Sequence, residues 1–392
     1  MSNASNNRFS NREIAVAHWG EHADGGGDRL AWDLARVFED APFYVGWRDV
    51  SIEPDDIDAE QLIDGPLLSR TLRWGGIARQ FAHLLGWQVA EPLREYEVLV
   101  TSGNEPLFYV PPDGQTWVAY IHHTNRRQSD QIEEAASGRF TSLKLLLYYA
   151  MRVAYDHNTH KPDLFVVNSE LVKRRVVRYW GVPEDKIRVV YPPVDTASYS
   201  PTDAETGDYY VTLSRLDWHK DIDGIVTAFN ETDHRLIVAG DGPERDSLER
   251  LADENVEFAG FVSEERKREL LAGAKAFVFN GRDEDFGIAP AEALAAGTPL
   301  LGVREGMTQY QVVSEKNGYT HVRSGDSSVD GPTLHETVAR FESEGVEWSP
   351  AEIASFAERF SVSAFHEGMR EAVVEAVDRA DSTPAWYEQY AD

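Results

Sequence analysis

Two carboxylates eight residues apart carry the most specific chemistry in the chain. Glu284 and Glu292 frame the segment Glu284-Asp285-Phe286-Gly287-Ile288-Ala289-Pro290-Ala291-Glu292. An apolar run at 276–279 precedes it, and Pro290 is acceptable only in a first helical turn, which predicts a helix start near Gly287. There the backbone N–H groups of Phe286, Gly287 and Ile288 would face an anion, with Gly287 allowing close approach. Eight residues span about 12 Å along a helix. A glycosidase-type carboxylate pair needs roughly 5–9.5 Å, so these glutamates must do separate jobs, such as gripping opposite ends of an extended ligand.

A second element, Ser214-Arg215-Leu216-Asp217-Trp218-His219-Lys220, follows the apolar run 209–213. Arg215 offers a planar fork and Lys220 a point charge, which together suit a diphosphate leaving group; two solvated loop charges are the plain alternative. A third, Asp24-Gly25-Gly26-Gly27-Asp28-Arg29, lies between the first apolar run and a helix. Gly25, Gly26 and Gly27 would let backbone approach phosphate or sugar, but the segment is neither GxGxxG nor a P-loop, and a tight turn explains it equally. His122 and His123 adjoin, as do Arg126 and Arg127, so which member of each pair faces a ligand stays open.

Short apolar runs that alternate with helix-length segments must position these groups. The runs fall at 14–18, 98–100, 117–121, 164–167 and 187–190, then at 209–213, 235–239, 256–258, 276–279 and 299–303. Helical patterns cover 29–39, 143–156, 170–179, 244–252 and 264–271. Such alternation predicts parallel sheets covered on both faces. Pro192, Pro193, Pro201 and Gly207 interrupt both periodicities at 191–208 and mark a domain seam. The expectation is an α/β chain of two doubly wound domains, 1–200 and 201–379, with 380–392 a candidate return to the first. Ligands in such sheets bind at the carboxyl ends of the strands, here facing a cleft between domains. The helical pattern at 143–156 is apolar nearly all round, which predicts a buried helix; a shallow membrane-interface helix beside Lys173, Arg174, Arg175 and Arg178 is the alternative.

The 392 residues carry 38 basic and 67 acidic side chains, net −29. That argues against wrapping of duplex nucleic acid, which needs a basic face. An ordered protein tolerates such self-repulsion most easily in abundant salt, so a salt-rich cytoplasm is expected. Residues 201–392 hold 17 basic and 39 acidic side chains, whereas 121–190 turn positive with 12 against 8. Cysteine is absent, removing disulfides and thiolate chemistry. No apolar run approaches the 18 or so residues of a membrane span, and residues 1–12 lack the apolar stretch of a signal peptide, so a cytoplasmic location is expected.

Together the glycine-rich loop, His123-Thr124 with Arg127, Asn168-Ser169, Pro192-Pro193-Val194-Asp195, Arg215 with Lys220, Ala239-Gly240-Asp241-Gly242-Pro243 and the Glu284–Glu292 element resemble retaining glycosyltransferases of the GT4 family, which have the GT-B double-Rossmann fold. The stretch 120–195 looks most like the mannosyltransferase branch, although Asn125 stands where that branch has proline. The resemblance implies transfer of a hexosyl group from a nucleotide-diphosphate sugar, GDP-mannose or a UDP-hexose, to a glycan or polyprenyl-linked acceptor. Arg215 and Lys220 would meet the departing diphosphate. Glu284 would hold the donor sugar with the amides of Phe286, Gly287 and Ile288, and Glu292 the ribose hydroxyls. His123 would sit near the reacting carbon, and Gly25–Gly27 would line donor phosphate and acceptor. Retention of configuration and metal independence are implied, with no cofactor besides the donor. Asp283-Glu284-Asp285 and Asp221-Ile222-Asp223 have metal-clamp spacing, but Glu284 already has a role and the second opens a helix, where acids suit the dipole. His18 with His22 and His157 with His160 lack a third ligand. Peripheral attachment at the inner face of the membrane is a further implication. The rival functions are a catalytically silent GT-B binding subunit and a nucleotide-sugar epimerase.

Overall fold

The computed structural model describes residues 12–21, 26–64, 77–124, 141–199, 207–325 and 329–382. The chain divides into two units, Met1–Tyr191 with Phe365–Asp392, and Pro192–Ala364. The crossing at 191/192 falls within the proline-marked seam. The return lies at 364/365 and not at 380, because Phe365, Met369, Ala372, Val373, Ala376 and Val377 of the helix Val362–Ser382 pack into the core of the first unit. Residues 383–392 lie outside the described residues.

The first unit holds a seven-stranded sheet of β1 (Ile14–His18), β2 (Phe43–Val45), β3 (Ala59–Gln61), β4 (Val98–Ser102), β5 (Thr116–Ile121), β6 (Leu164–Val167) and β7 (Ile187–Val189), in the order β3-β2-β1-β4-β5-β6-β7. Every pairing is parallel. Strand alternation explains why both faces are covered. Ala15, Ala17, Leu99, Trp117 and Phe165 enter one core, while Val16, Val98, Val100, Val118 and Val166 enter the other.

The second unit holds a six-stranded parallel sheet of β8 (Tyr210–Leu213), β9 (Leu236–Ala239), β10 (Val256–Gly260), β11 (Phe277–Phe279), β12 (Leu300–Val303) and β13 (Gly318–His321), ordered β10-β9-β8-β11-β12-β13. Each sheet reverses its winding once, between β1 and β4 in the first and between β8 and β11 in the second. Rossmann-like sheets bind ligands at such switch points, outside the carboxyl ends of the strands.

Two expectations need correction. The helix expected from residue 29 begins at Gly26 and runs to Val37, so Gly26 and Gly27 are its first turn; Gly25 lies outside the described residues. The helix Thr141–Asp156, expected to be buried, hides only Met151 and Tyr155. Tyr155 packs on Phe108, ring centroids 4.5 Å apart, and this narrow edge is what anchors the helix. Leu143, Leu146, Tyr149 and Val153 recur every three or four residues and are half or more exposed. Helix Ile77–Gln88 also packs on the turn Glu105–Phe108 and exposes Phe81 and Leu85, with Val89 just beyond its end.

Candidate active site

The central pair of the second unit sits at its switch point. Lys220 follows β8, Glu284 follows β11, and Lys220 Nζ lies 2.7 Å from Glu284 Oε2. Both side chains remain about a quarter exposed, so the pair is open to a ligand. The ammonium also stands 5.8 Å from the Phe279 ring centroid, at the end of β11. The loop carrying Lys220 is braced by the Ala239-Gly240-Asp241-Gly242-Pro243 turn after β9: Leu216 N donates to Asp241 O at 2.9 Å. Gly240 has φ +133°, and a Cβ there would lie 1.8 Å from Ser214 O, so only glycine permits this approach.

Adjoining the pair is an ionic network whose centre, Asp221 with Arg323, is buried. Asp221, next to Lys220, pairs with Arg282 and Arg323 and accepts from Asn280 Nδ2. Arg323, which follows β13, also forks onto Glu305 with both hydrogen bonds at 3.0 Å. Glu305 in turn accepts from the backbone N–H of Asp283, adjoining Glu284. Met307 N donates to Glu284 O at 2.8 Å. A Cβ on Gly306, φ +56°, would fall 2.5 Å from Glu284 N and O. Loops after four strands are thus joined in one network around Asp221 and the backbone of Glu284. The Asp221-Ile222-Asp223 run is part of this network through Asp221. Among the described residues no group of three or more metal-binding side chains is assembled.

Helix Ile288–Ala295 starts where the sequence places it, with Gly287 at φ +83° as its N-cap. Its first N–H groups have no partner within the helix, and Pro290 removes one of those orphan donors. The Phe286 side chain is buried and meets the Phe360 ring edge-on at 5.4 Å, so it anchors the turn, while Ile288 is exposed. Glu292 accepts from Lys267 Nζ at 2.7 Å. Arg215 stands apart from these groups: its side chain is 74% exposed and pairs with Asp217 at 3.3 Å.

In the first unit the switch point gathers histidines. His18 ends β1; its Nε2 lies 3.4 Å from Asp28 Oδ1 and its Nδ1 3.2 Å from Ser102 O. His122 is hydrogen-bonded through Nε2 to Ser102 Oγ at 2.8 Å, and Asn168 Nδ2 donates to its carbonyl at 2.7 Å. Burial, then His18 and His123, lower its pKa to about 3, so it is neutral at physiological pH. His123 is the exposed member, with Asn104 Nδ2 donating to its carbonyl at 3.0 Å. Beside it burial raises the Glu105 carboxyl, against the pull of His123 and Arg79. Arg126 and Arg127 lie outside the described residues. Asn104, Glu105, Lys267 and Arg323 were not singled out in the sequence, where each is an ordinary polar residue far from its partner.

Arg323→Met should cost roughly 3 kcal/mol in urea unfolding, the low end for a broken buried pair, because Arg282 and Asn280 stay on Asp221; unchanged stability would contradict the bracing role. The depressed His122 pKa has a signed consequence. The unfolded imidazole binds protons below about pH 6.5, while the folded one resists down to about 3. Stability is therefore lost as pH falls through that window, at up to about 1.4 kcal/mol per pH unit. His122→Asn should flatten the slope between pH 7 and 5; identical slopes in both proteins would contradict it.

Residues 24–198 match the family described as Glycosyltransferase Family 4, and residues 197–328 that described as Glycosyl transferases group 1. The chain is 23% identical to an alpha-1,3/1,6-mannosyltransferase of Kluyveromyces lactis, over 84% of this chain and 78% of that one. It is 36% identical to a GDP-mannose-dependent alpha-(1-6)-phosphatidylinositol dimannoside mannosyltransferase of Mycobacterium tuberculosis, over 27% of this chain and 26% of that protein. An uncharacterized glycosyltransferase of Methanocaldococcus jannaschii is 28% identical over 43% of this chain, which spans 50% of that protein's length. Among solved structures, Anabaena HepE in complex with UDP superposes with a TM-score of 0.67 at 18% identity, over 93% of this chain and all of that one. These matches, with the two Rossmann-like sheets of a GT-B fold, make the chain a member of glycosyltransferase family 4, similar in pattern to its mannosyltransferase branch.

Proposed function

We propose that the protein transfers a hexosyl group, mannosyl before others, from a nucleotide-diphosphate sugar to a glycan or polyprenyl-linked acceptor, with retention of configuration. The observation that carries this reading is Lys220 against Glu284 at the switch point of the second sheet, with Glu292 one helix length away. In the reaction the bond from the anomeric carbon to the diphosphate oxygen breaks and an acceptor hydroxyl forms the new bond on the same face. Its proton passes to the leaving phosphate. Lys220 meets the charge that develops on the diphosphate, and Arg215, held outward by Asp217, swings in to share it. Glu284 accepts hydrogen bonds from the donor sugar, and the helix start at Gly287 and Ile288 adds backbone N–H groups and a favourable dipole. Glu292 holds the ribose. His123, the exposed histidine, stands on the acceptor side, with Gly26 and Gly27 opening the neighbouring helix. GDP-mannose is the first donor to try, since one relative is described as GDP-mannose-dependent, and UDP-sugars follow because a structural neighbour holds UDP.

The test is a panel of nucleotide sugars with and without a lipid extract as acceptor source, reading released nucleoside diphosphate in low salt and in molar KCl. The acid excess makes molar salt the better condition. Release from at least one donor, stimulated by acceptor, is expected. Folded protein that turns over no donor would point to a silent binding subunit instead.

The acceptor reading extends to a membrane surface. No helix among the described residues is long and apolar enough to cross a bilayer. The exposed apolar side chains of helices Ile77–Gln88 and Thr141–Asp156 flank one turn, and these helices carry Arg79, Lys144 and Arg152 against the single acid Asp156. A local cationic excess in so acidic a chain suits the inner, anionic face of a membrane, with apolar contact supplying the affinity where salt screens charge. Anionic vesicles should co-sediment the protein in molar KCl, and Leu146→Asp with Val153→Asp should release it; wild-type protein left in the supernatant would reject the contact.

A further inference from the structure

Glu292 is held by a residue that no sequence motif singles out. Lys267, from helix Glu264–Ala272 after β10, places Nζ 2.7 Å from Glu292 Oε1, and both side chains are less than one-fifth exposed. Burial pulls the Lys267 pKa down, but Glu292 and Glu264 outweigh it and leave it raised, so the ammonium stays charged. Tyr199, a buried phenol, lies near the same carboxylate, and burial first, then the Glu292 charge, raise its pKa and keep it neutral.

The consequence follows from counting acceptor positions. An ionised carboxylate offers about four lone-pair positions. The ammonium sits on Oε1, which leaves both positions of Oε2 for hydroxyl donors. A cis-diol supplies that number.

We propose that Lys267 is a positioning residue that fixes Glu292 as a cis-diol receptor, and so makes the site select ribonucleotides over sugars without the diol. This rests on the reading of Glu292 as the ribose-binding residue. Lys267 does not touch the reacting atoms; it acts through the carboxylate it holds. Lys267 also cancels the charge of Glu292, which would otherwise repel an incoming diphosphate in a unit already rich in acids.

Calorimetric titration of the full chain with GDP and UDP, and with the 2′,3′-dideoxy form of each, tests the proposal. Wild-type protein should favour the tighter-binding ribonucleotide over its dideoxy form by about tenfold or more, as expected for two hydrogen bonds to a charged acceptor. Lys267→Met should reduce that ratio below about threefold, and Lys267→Arg should restore most of it. Far-UV circular dichroism checks folding; if Lys267→Met unfolds, Lys267→Gln carries the test. A variant that weakens both nucleotides equally and keeps the wild-type ratio would overturn the positioning role alone. A wild-type ratio near one, or no binding of either nucleotide, would overturn the ribose reading and this proposal with it.

Discussion

A lysine and a glutamate 2.7 Å apart, at the point where a parallel sheet reverses its winding, set the conditions for the rest of the second unit. Bringing them together requires β8 and β11 to be neighbours, with their loops turning sharply toward each other. The backbone shows the cost: Asp221 and Asp283 adopt φ near +50°, and Gly287 and Gly306 are also left-handed. A non-glycine residue in that region is unfavourable by about 1 kcal/mol or more and persists only where its surroundings hold it. The two arginines on Asp221, and Glu305 accepting from the Asp283 N–H, are those surroundings. The ionic network therefore explains a strained loop and not merely a set of contacts.

The acid excess gives the same cluster a second meaning. In residues 201–392 carboxylates outnumber cations by more than two to one. Lys220 is matched to Glu284, Lys267 to Glu292, Lys275 to Glu342 and Arg323 to Asp221 and Glu305. Such partly buried pairs are screened by salt far less than exposed charges are. Molar salt can relieve repulsion across the surface while leaving these pairs intact. Arg215, three-quarters exposed on its loop, is free to reorient at small energetic cost.

The parts of the fold written in local pattern were legible. Leu164–Val167 is uniformly apolar, and Ile14–His18 is so up to its last residue, because both sheet faces are covered. The helix start at Ile288 was legible because Gly287 and Pro290 each allow little else. Three strands escaped: Phe43–Val45 and Ala59–Gln61 are only three residues long, and Gly318–His321 mixes glycine, threonine and histidine. Helix Thr141–Asp156 misled because composition shows how apolar a helix is, but not whether anything covers it. Of the candidate site, Lys220 and Glu284 were singled out through their motifs. The grips behind them were not, since Arg323 meets Asp221 across 102 positions and Lys267 meets Glu292 across 25. Pairing over such distances leaves no periodic trace.

If the lysine–glutamate pair at the switch point acts as one unit in sugar transfer, a double-mutant cycle exposes it most directly. Lys220→Ala, Glu284→Ala and the double variant would be compared with wild type in donor turnover, with folding confirmed for each. Each single change should lower turnover about a hundredfold or more, and the double change should be scarcely worse than either, as for groups that work together. Losses that simply multiply, or a single variant with wild-type turnover, would contradict the account.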